Sequence, residues 1–543
     1  MNHWWNNTVF YQIYMPSFCD GNNDGIGDFV GIRSKLPYLK QLGVGCIWLT
    51  PFYPSPKVDQ GYDISDYRNI DPDYGTMEDF RAFIREAHAM GIRVLADVVM
   101  NHTSSEHPWF RESRSSRDNP KRDWYIWHEP VNGGAPNNWE SFFFEPAWEW
   151  DETTGMYYYH SFAKQQVDLN WANPEVRQAM LEMLDFWIDQ GVDGFRMDVI
   201  NNLTVTDCLT DNPYDEQGNQ IHLYDVNQPG IRDAMREIAA HVKRRGEIFL
   251  VGEISSDKLD VIRAYADDDL LDTTFNFNLG SLPRFDFPVF ADQLIQMSRC
   301  YNGLHRPTIF FGSHDMPRFP SRFDFDEAQA RCLFTVLMTF RAYPFLYFGD
   351  EIGMKNYVCH SFEDGRDVQG IIAYRKAKAA DKPEEECIRI LNESSRDHGR
   401  NTMYWDNTLP NGGFSSVRPW INWQPQPGAS AEEQRRDRHS LFSFVAGLAA
   451  LRSTLPVLTE GDCTVESPAD QTIVCRRSLN GTRLTALVNF GAGDVTLDFD
   501  PAGWQLLRVT AADAFGVSAD GRLVLHGKRA VIFLQEGKEV QAQ

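Results

Sequence analysis

Short apolar runs alternate with segments whose apolar positions recur every three or four residues, and this continues over about 350 residues. Val9–Met15, Cys46–Thr50 and Arg93–Val99 read as strands, with helices over Ile32–Leu42 and Met77–Met90 between them. In the second helix Phe80, Phe83, Ile84 and Ala87 form one apolar stripe, and Gly91 stops it. From residue 101 to about 170 the rhythm breaks into a stretch rich in Trp, Tyr, Phe, Asn and Pro, with no long helical pattern. It resumes with a helix over Glu175–Gln190 and a strand over Gly194–Val199. Ile231–Lys243, Ala291–Tyr301 and Ala328–Arg341 read as helices. Glu247–Gly252, Asp272–Phe277, Thr308–Gly312 and Pro344–Gly349 read as strands.

Eight strands in alternation with helices predict an α/β chain with a parallel sheet closed as a (β/α)8 TIM barrel. A doubly wound open sheet is the alternative, but no GxGxxG turn follows the first strand. The barrel is expected over residues 1–101 and 171–460, with an inserted domain at 102–170 after strand 3. A subdomain is expected at about 353–410. From 461 to 543 short alternating strands, such as Thr472–Arg476, Arg483–Asn489 and Arg529–Leu534, predict a C-terminal antiparallel β-domain.

Composition narrows the partners. Formal net charge is −24, which argues against nucleic acid and anionic membranes, both of which require clustered Lys and Arg. No run of 18 apolar residues occurs, so no transmembrane helix is expected. Met1–Thr8 lacks a basic stretch followed by an apolar core, so no signal peptide is expected. The nine cysteines are scattered, odd in number and without a CxxC pair, which fits free thiols in a reducing cytoplasm.

Gly194–Asn201 reads Gly-Phe-Arg-Met-Asp-Val-Ile-Asn and carries two charges in an apolar strand. Alternation puts Arg196 and Asp198 on one face. Such charges are paired or used, and an arginine beside a carboxylate keeps it ionised, as a nucleophile must be. Functional residues of a (β/α)8 barrel stand at the C-terminal strand ends. Those ends here carry Asp97, Asn101 and His102, then Arg196 and Asp198, then Glu253, then His314 and Asp315. Each alone reads equally well as a capping or ion-paired residue; together they make one mouth lined by carboxylates.

The blocks DVVMNH (97–102), GFRMDVIN (194–201), VGE (251–253) and SHDMPR (313–318), with QVDLN (166–170), resemble glycoside hydrolase family 13, the α-amylase superfamily. Within it the chain is most similar to the oligo-1,6-glucosidase and α-glucosidase group. The resemblance covers essentially the whole chain and implies a retaining glycosidase with Asp198 as nucleophile and Glu253 as general acid/base. Asp315 would grip sugar hydroxyls, His102 and His314 would hydrogen-bond the same sugar, Arg196 would orient Asp198, and Asp97 would support the site. Asp59 and Tyr62 of DQGYD match a pair that, in exo-acting members, closes the pocket around the non-reducing glucose. Tyr62 would stack on the ring, Asp59 would act with Arg400 of RDHGRNTMYW (396–405), and Phe162 would line the same pocket. Like charges around Glu253 are expected to raise its pKa. The substrate is expected to be a small oligosaccharide. The oligomeric state is open, with a monomer the expectation.

Val199 directly follows the nucleophile position, and in the resembling group Val there accompanies α-1,6-acting enzymes, Ala or Thr α-1,4-acting ones. The same Val occurs in sucrose isomerases and trehalose-6-phosphate hydrolases, so these and transglucosylating α-glucosidases stay as alternatives. The Arg-Leu-Asp-Arg-Asp run of sucrose isomerases is missing; Pro283–Phe287 stands in its neighbourhood. Two positions depart from the family pattern: Ser313 replaces Asn before His-Asp, and Val167 replaces Pro in QPDLN. A non-catalytic accessory protein of this fold would lack the three carboxylates that this chain keeps.

Asp20–Asp28 places side-chain oxygens at alternate positions, with a glycine at the sharp turn, like the first nine positions of an EF-hand loop. Position twelve is Gly31 and a strand precedes the loop, so it is not an EF-hand. By resemblance such a loop binds structural Ca²⁺ through Asp20, Asn22, Asp24, Asp28 and the Ile26 carbonyl; an Asx-rich turn without metal is the alternative.

Overall fold

A computed structural model describes residues 3–204, 209–267, 270–301, 303 and 305–537. Cys208 lies outside the described residues. Eight parallel strands make the central sheet: β1 Phe10–Ile13, β2 Cys46–Leu49, β3 Arg93–Val99, β4 Gly194–Asp198, β5 Phe249–Gly252, β6 Thr273–Thr274, β7 Thr308–Ile309 and β8 Tyr343–Tyr347. Backbone pairing runs in the order β6-β5-β4-β3-β2-β1-β8-β7. The chain is thus a nearly closed (β/α)8 barrel, as the alternation predicts.

The seam between β6 and β7 is closed by side chains. Thr273 Oγ1 donates to the Arg306 carbonyl at 2.8 Å. Thr308 Oγ1 donates to the Thr274 carbonyl and accepts from the Asn276 amide, both at 3.1 Å. This is why the two strands are shorter than their apolar runs: threonine hydroxyls take over hydrogen bonds a backbone ladder would make, and a helical turn, Phe277–Gly280, begins at once.

Aromatic residues fill the barrel below the mouth. Phe10 stacks on Phe345 with centroids 4.5 Å apart and on Phe249 at 5.1 Å. Trp48, Leu95, Val251, Phe275 and Phe310 complete this layer. Gly194 lets β3, β4 and β5 approach closely, since a Cβ there would meet the Phe249 carbonyl at 2.4 Å and Leu95 Cδ2 at 2.7 Å. Outside, the helices bury one stripe each. Met77–Ala89 buries Phe80, Phe83, Ile84 and Ala87 and starts in a capping box between Thr76 and Asp79.

Between β3 and β4 lie the helix Pro108–Ser115, a three-stranded antiparallel sheet (Trp127–His128, Met156–Tyr159, Trp148–Asp151), and a two-stranded ladder pairing His102–Ser104 with Gln166–Asp168. After β8 the helices Val368–Ala379 and Glu384–Ser394 pack tightly where Gly370 meets Leu391 and Ser395. At the C-terminal end β9 Asp462–Glu466, β10 Thr472–Leu479, β11 Thr482–Asn489, β12 Gln505–Val509 and β13 Arg529–Gln535 form an antiparallel sheet. A smaller three-stranded sheet packs on it through Val474, Leu487, Leu497, Leu523, Val531 and Phe533.

Candidate active site

An open pocket of about 240 Å³ lies at the C-terminal ends of the barrel strands. Eight of the expected residues line it: Asp59, Tyr62, His102, Phe162, Asp198, Val199, Glu253 and Asp315. Asp198 is the last residue of β4, and Val199 turns the chain away at φ 35° and ψ 44°. A β-branched residue in the left-handed region is strained, a condition that concentrates at functional sites.

Arg196 is buried and joins three carboxylates. Nη1 donates to Asp97 at 2.8 Å and to Asp198 at 2.5 Å, and Nη2 donates to Glu253. It therefore orients both members of the candidate catalytic pair. Asp97 is enclosed and also accepts from Trp48 Nε1 at 3.1 Å and Tyr62 OH at 3.0 Å.

Burial is the largest cause that pushes Glu253 up to about 8; the charges of Asp198 and Asp315 add to it, and Arg196 opposes. Like charge is thus the lesser of two reasons. Burial also raises Asp198, to about 7, against the pull of Arg196. Glu253 is the higher of the two and holds the proton. Asp315 moves the other way. Burial would raise it, but His314, Arg396 and Arg400 hold it well below the ordinary carboxylate range.

His314 stands behind the pocket wall. Gln12 Nε2 lies 2.7 Å from its Nδ1, so that nitrogen accepts and Nε2 carries the proton, with Tyr62 OH at 2.7 Å and Asp315 Oδ2 at 3.1 Å as its acceptors. Tyr62 passes its own hydrogen to Asp97. The Tyr62 and His314 rings stack at 5.3 Å, 5° from parallel. Burial pushes the imidazoles of His314 and His102 down to about 3 and about 4. His102 Nε2 lies 2.9 Å from the Tyr62 carbonyl.

The expected pairing of Asp59 with Arg400 is not what forms. Asp59 pairs with Arg396, Nη2 to Oδ1 at 2.5 Å, and Arg396 also binds Asp367 through Nε at 2.8 Å. Arg400 is fully enclosed, giving Nε to the His314 carbonyl at 2.9 Å and Nη2 to Asp315 at 3.2 Å. The 3₁₀ turn Arg396–Gly399 separates the two arginines, so the first reaches the pocket and the second the layer beneath it. The motif carries arginine at 396 and at 400, and only the turn decides between them.

The pocket lining also holds residues the motifs do not name, Phe142, Phe143, Asn202, Ser255 and Gln369, and Gln166 of the QVDLN block donates to Asp59 at 3.2 Å. Phe142 lies between Phe162, at 5.4 Å and 28°, and His222, at 4.3 Å and 19°. His222 is held by Asp225 at 2.6 Å. Its segment is tied to the inserted domain: Trp139 Nε1 donates to the Thr210 carbonyl at 2.9 Å and Asn138 Nδ2 to the Asn212 carbonyl at 2.9 Å. Phe-Phe-Phe at 142–144 is the one sequence signal for this wall. Neither Ser313 nor Val167 lines the pocket. Ser313 Oγ accepts from the Asp315 amide, and Val167 is buried in its ladder.

The acidic loop after β1 is held by its own backbone. Asp20 accepts from the amides of Asn23 and Gly25, Asp24 from Ile26, and Asp28 from Gly21, Asn22 and Gly31. Gly25 turns at φ 94°. Among the described residues no three His, Cys, Asp or Glu side chains converge as a metal-binding group. Asn22 Oδ1 and backbone carbonyls are the additional oxygens such an ion would need, so the donor set suits only a hard cation.

The alpha-amylase catalytic-domain family model matches residues 12–461. An oligo-1,6-glucosidase of Halalkalibacterium halodurans is 38% identical over 511 residues, covering 90% of this chain and 90% of that protein. A trehalose-6-phosphate hydrolase of Bacillus subtilis is 38% identical over 513 residues, again with 90% of each covered. The crystal structure of the trehalulose synthase MutB from Pseudomonas mesoacidophila MX-45 matches at a TM-score of 0.92 and 34% identity, covering 98% of this chain and all of that one. With carboxylates at the ends of β4, β5 and β7 and these relatives along its length, the chain belongs to the alpha-amylase family, glycoside hydrolase family 13.

Proposed function

We propose that the protein is a retaining, exo-acting α-glucosidase that removes glucose from the non-reducing end of short α-1,6-linked oligosaccharides. The observation that carries this is the Arg196 bridge, which holds Asp198 and Glu253 as a close pair. A retaining enzyme needs its carboxyls about 5–5.5 Å apart, whereas an inverting one separates them by about 6.5–9.5 Å to admit water. Asp198 attacks C1 while Glu253 protonates the leaving oxygen. Glu253 then takes a proton from the water that attacks the glucosyl-enzyme, and the anomeric configuration is retained. Asp315 stays ionised and binds sugar hydroxyls as the ring flattens, with Asp59, Arg396, Tyr62, His102 and Phe162 around the same glucose.

Val199 in the wall favours the α-1,6 linkage. The lining favours a neutral aglycone over a phosphorylated one: among the described lining residues Arg396 is the one permanent cation, and Asp59 and Asp367 already neutralise it. Glucose release from isomaltose, panose, maltose, sucrose, trehalose and trehalose 6-phosphate tests this. Isomaltose is expected to give the highest kcat/KM; turnover of the phosphorylated sugar alone would overturn the reading.

The Asp20–Asp28 loop is part of the proposal as a structural Ca²⁺ site, with Asp20, Asn22, Asp24, Asp28 and the Ile26 carbonyl as ligands. Elemental analysis after dialysis tests it, and a metal-free protein of unchanged thermal stability would remove it. A cytoplasmic location is proposed because the nine cysteines are scattered and odd in number, as free thiols in a reducing compartment are, and a monomer is proposed alongside it. No helix among the described residues is long and apolar enough to cross a membrane.

A further inference from the structure

Cys463 and Cys475 are far from the catalytic blocks in sequence, and the fold brings them together. On the antiparallel pair β9 and β10, Cys463 faces Arg477 and Val465 faces Cys475, so the two cysteines occupy diagonal positions on one face. Their sulfurs are 3.7 Å apart. The thiols differ in setting. Cys475 is enclosed and lies 3.7 Å from the Thr339 carbonyl, the end of the helix Glu327–Thr339. Cys463 is half-buried and borders a crevice of about 20 Å³ that it shares with Arg341, Tyr301 and Asp462. That is room for a molecule of the size of water or hydrogen peroxide.

The surroundings are cationic. Arg477 gives its N–H groups to the carbonyls of Thr339, Leu458, Gly461 and Asp462. Arg341 gives its own to those of Tyr301, Gly303 and His305. Asp462 is the nearby acid, and it is exposed. A hydrogen bond from the Cys475 thiol, aided by Arg477 and Arg341 against burial, brings Cys463 down to about 7. A low-pKa, partly exposed thiol beside a second thiol is the arrangement of a redox-sensing pair.

We propose that Cys463 and Cys475 are a peroxide-responsive thiol pair, Cys463 reacting with the peroxide and Cys475 resolving the product into a reversible disulfide. The Cys463 thiolate attacks one oxygen of hydrogen peroxide. The O–O bond breaks, the sulfur becomes a sulfenic acid, and hydroxide leaves and takes up a proton as water. The Cys475 sulfur then attacks the sulfenic sulfur. The S–S bond forms, the S–O bond breaks, and the Cys475 proton departs with the hydroxyl as a second water. Per disulfide, two thiols lose two electrons and one peroxide is reduced to two waters. Bonding needs the sulfurs to close from 3.7 Å to about 2.0 Å, and because diagonal strand neighbours stand about 7–8 Å apart, β9 and β10 must shift as the side chains rotate. The product would staple β9 to β10 where the sheet meets the barrel.

Peptide mapping of the intact protein after limiting hydrogen peroxide tests this. The expected product is a linked peptide containing residues 463 and 475, which thiol reductant reverses, formed several-fold faster than oxidation of the exposed lone Cys300. In Cys475→Ser, Cys463 is expected to accumulate as sulfenic acid trapped by dimedone; in Cys463→Ser, Cys475 is expected to stay reduced. A Cys463 that remains reduced while Cys300 oxidises would overturn the proposal. So would a wild-type protein whose Cys463 gives the dimedone adduct, at the yield of the Cys475→Ser variant, without any linked peptide.

Discussion

Arg396 Nη2 stands 2.5 Å from Asp59 Oδ1 and joins the loop after β2 to the segment after β8 across the pocket wall. Both side chains are mostly enclosed, and Asp367 shares the same guanidinium. Arg396→Ala leaves Asp59 without its counter-charge and Asp367 with only Arg400, 3.6 Å away, a loss of about 3–5 kcal/mol for a buried pair. The expected outcome is a fall in kcat/KM on isomaltose of about two to three orders of magnitude. Arg396→Lys is expected to recover only part, because an ammonium cannot hold two carboxylates in fixed fork geometry. Steady-state kinetics of both variants decide it; alanine and wild-type values within threefold would remove the assigned role.

Which arginine does this was not legible in the sequence. The barrel was, because period-2 and period-3.6 patterns alternate eight times. The catalytic carboxylates were also legible, because charge at the end of an apolar strand has few other uses. Contacts made across long sequence separation were not. The Phe142–His222 wall joins the inserted domain to the loop after β4, and no local pattern encodes that meeting. The seam threonines at 273 and 308 read as ordinary strand residues, since nothing local marks two strands that pair through hydroxyls.

The pH profile follows from the carboxyl pair. Glu253 must be protonated to act as acid, and its pKa is raised to about 8. Activity therefore holds below that value and is lost as pH rises through it. Asp198 must be ionised, and its pKa is raised to about 7, so activity is lost as pH falls through that value. The expected kcat/KM profile is a bell centred between them, reporting the free enzyme. Glu253→Gln should abolish turnover of isomaltose. It should spare formation of the glucosyl-enzyme from an aryl α-glucoside whose phenol leaves without protonation, visible as a burst of phenol.

Val199 adopts φ 35° immediately after the nucleophile. Holding a β-branched residue there costs on the order of 1–3 kcal/mol. Val199→Gly removes that strain and is expected to keep or raise the melting temperature, although the more flexible unfolded chain offsets part of the gain. Val199→Ala is expected to shift the isomaltose-to-maltose ratio of kcat/KM several-fold toward maltose. Calorimetry and paired kinetics check the two claims separately, and an unchanged ratio would detach Val199 from linkage choice.

His222 stacks on Phe142 at 4.3 Å and is fixed by Asp225 at 2.6 Å, so the Phe142 wall of the pocket depends on a segment the catalytic blocks do not include. An aromatic contact of this kind contributes about 0.5–1.5 kcal/mol beyond area burial. His222→Ala frees Phe142 to rotate, which blunts the surface that the leaving sugar meets. Nothing in the change touches Asp198, Glu253 or Asp315. The expected result is a KM for isomaltose raised about 2–10-fold with kcat within twofold, the signature of lost uniform binding. An aryl α-glucoside, whose flat leaving group asks less of that wall, should be affected less. Asp225→Asn weakens the same contact one step removed and should give the same pattern at smaller amplitude. If kcat fell and KM held, the segment would be acting on the chemistry through β4 instead, and the aglycone role would pass from His222 to other lining residues, Gln369 and Ser255.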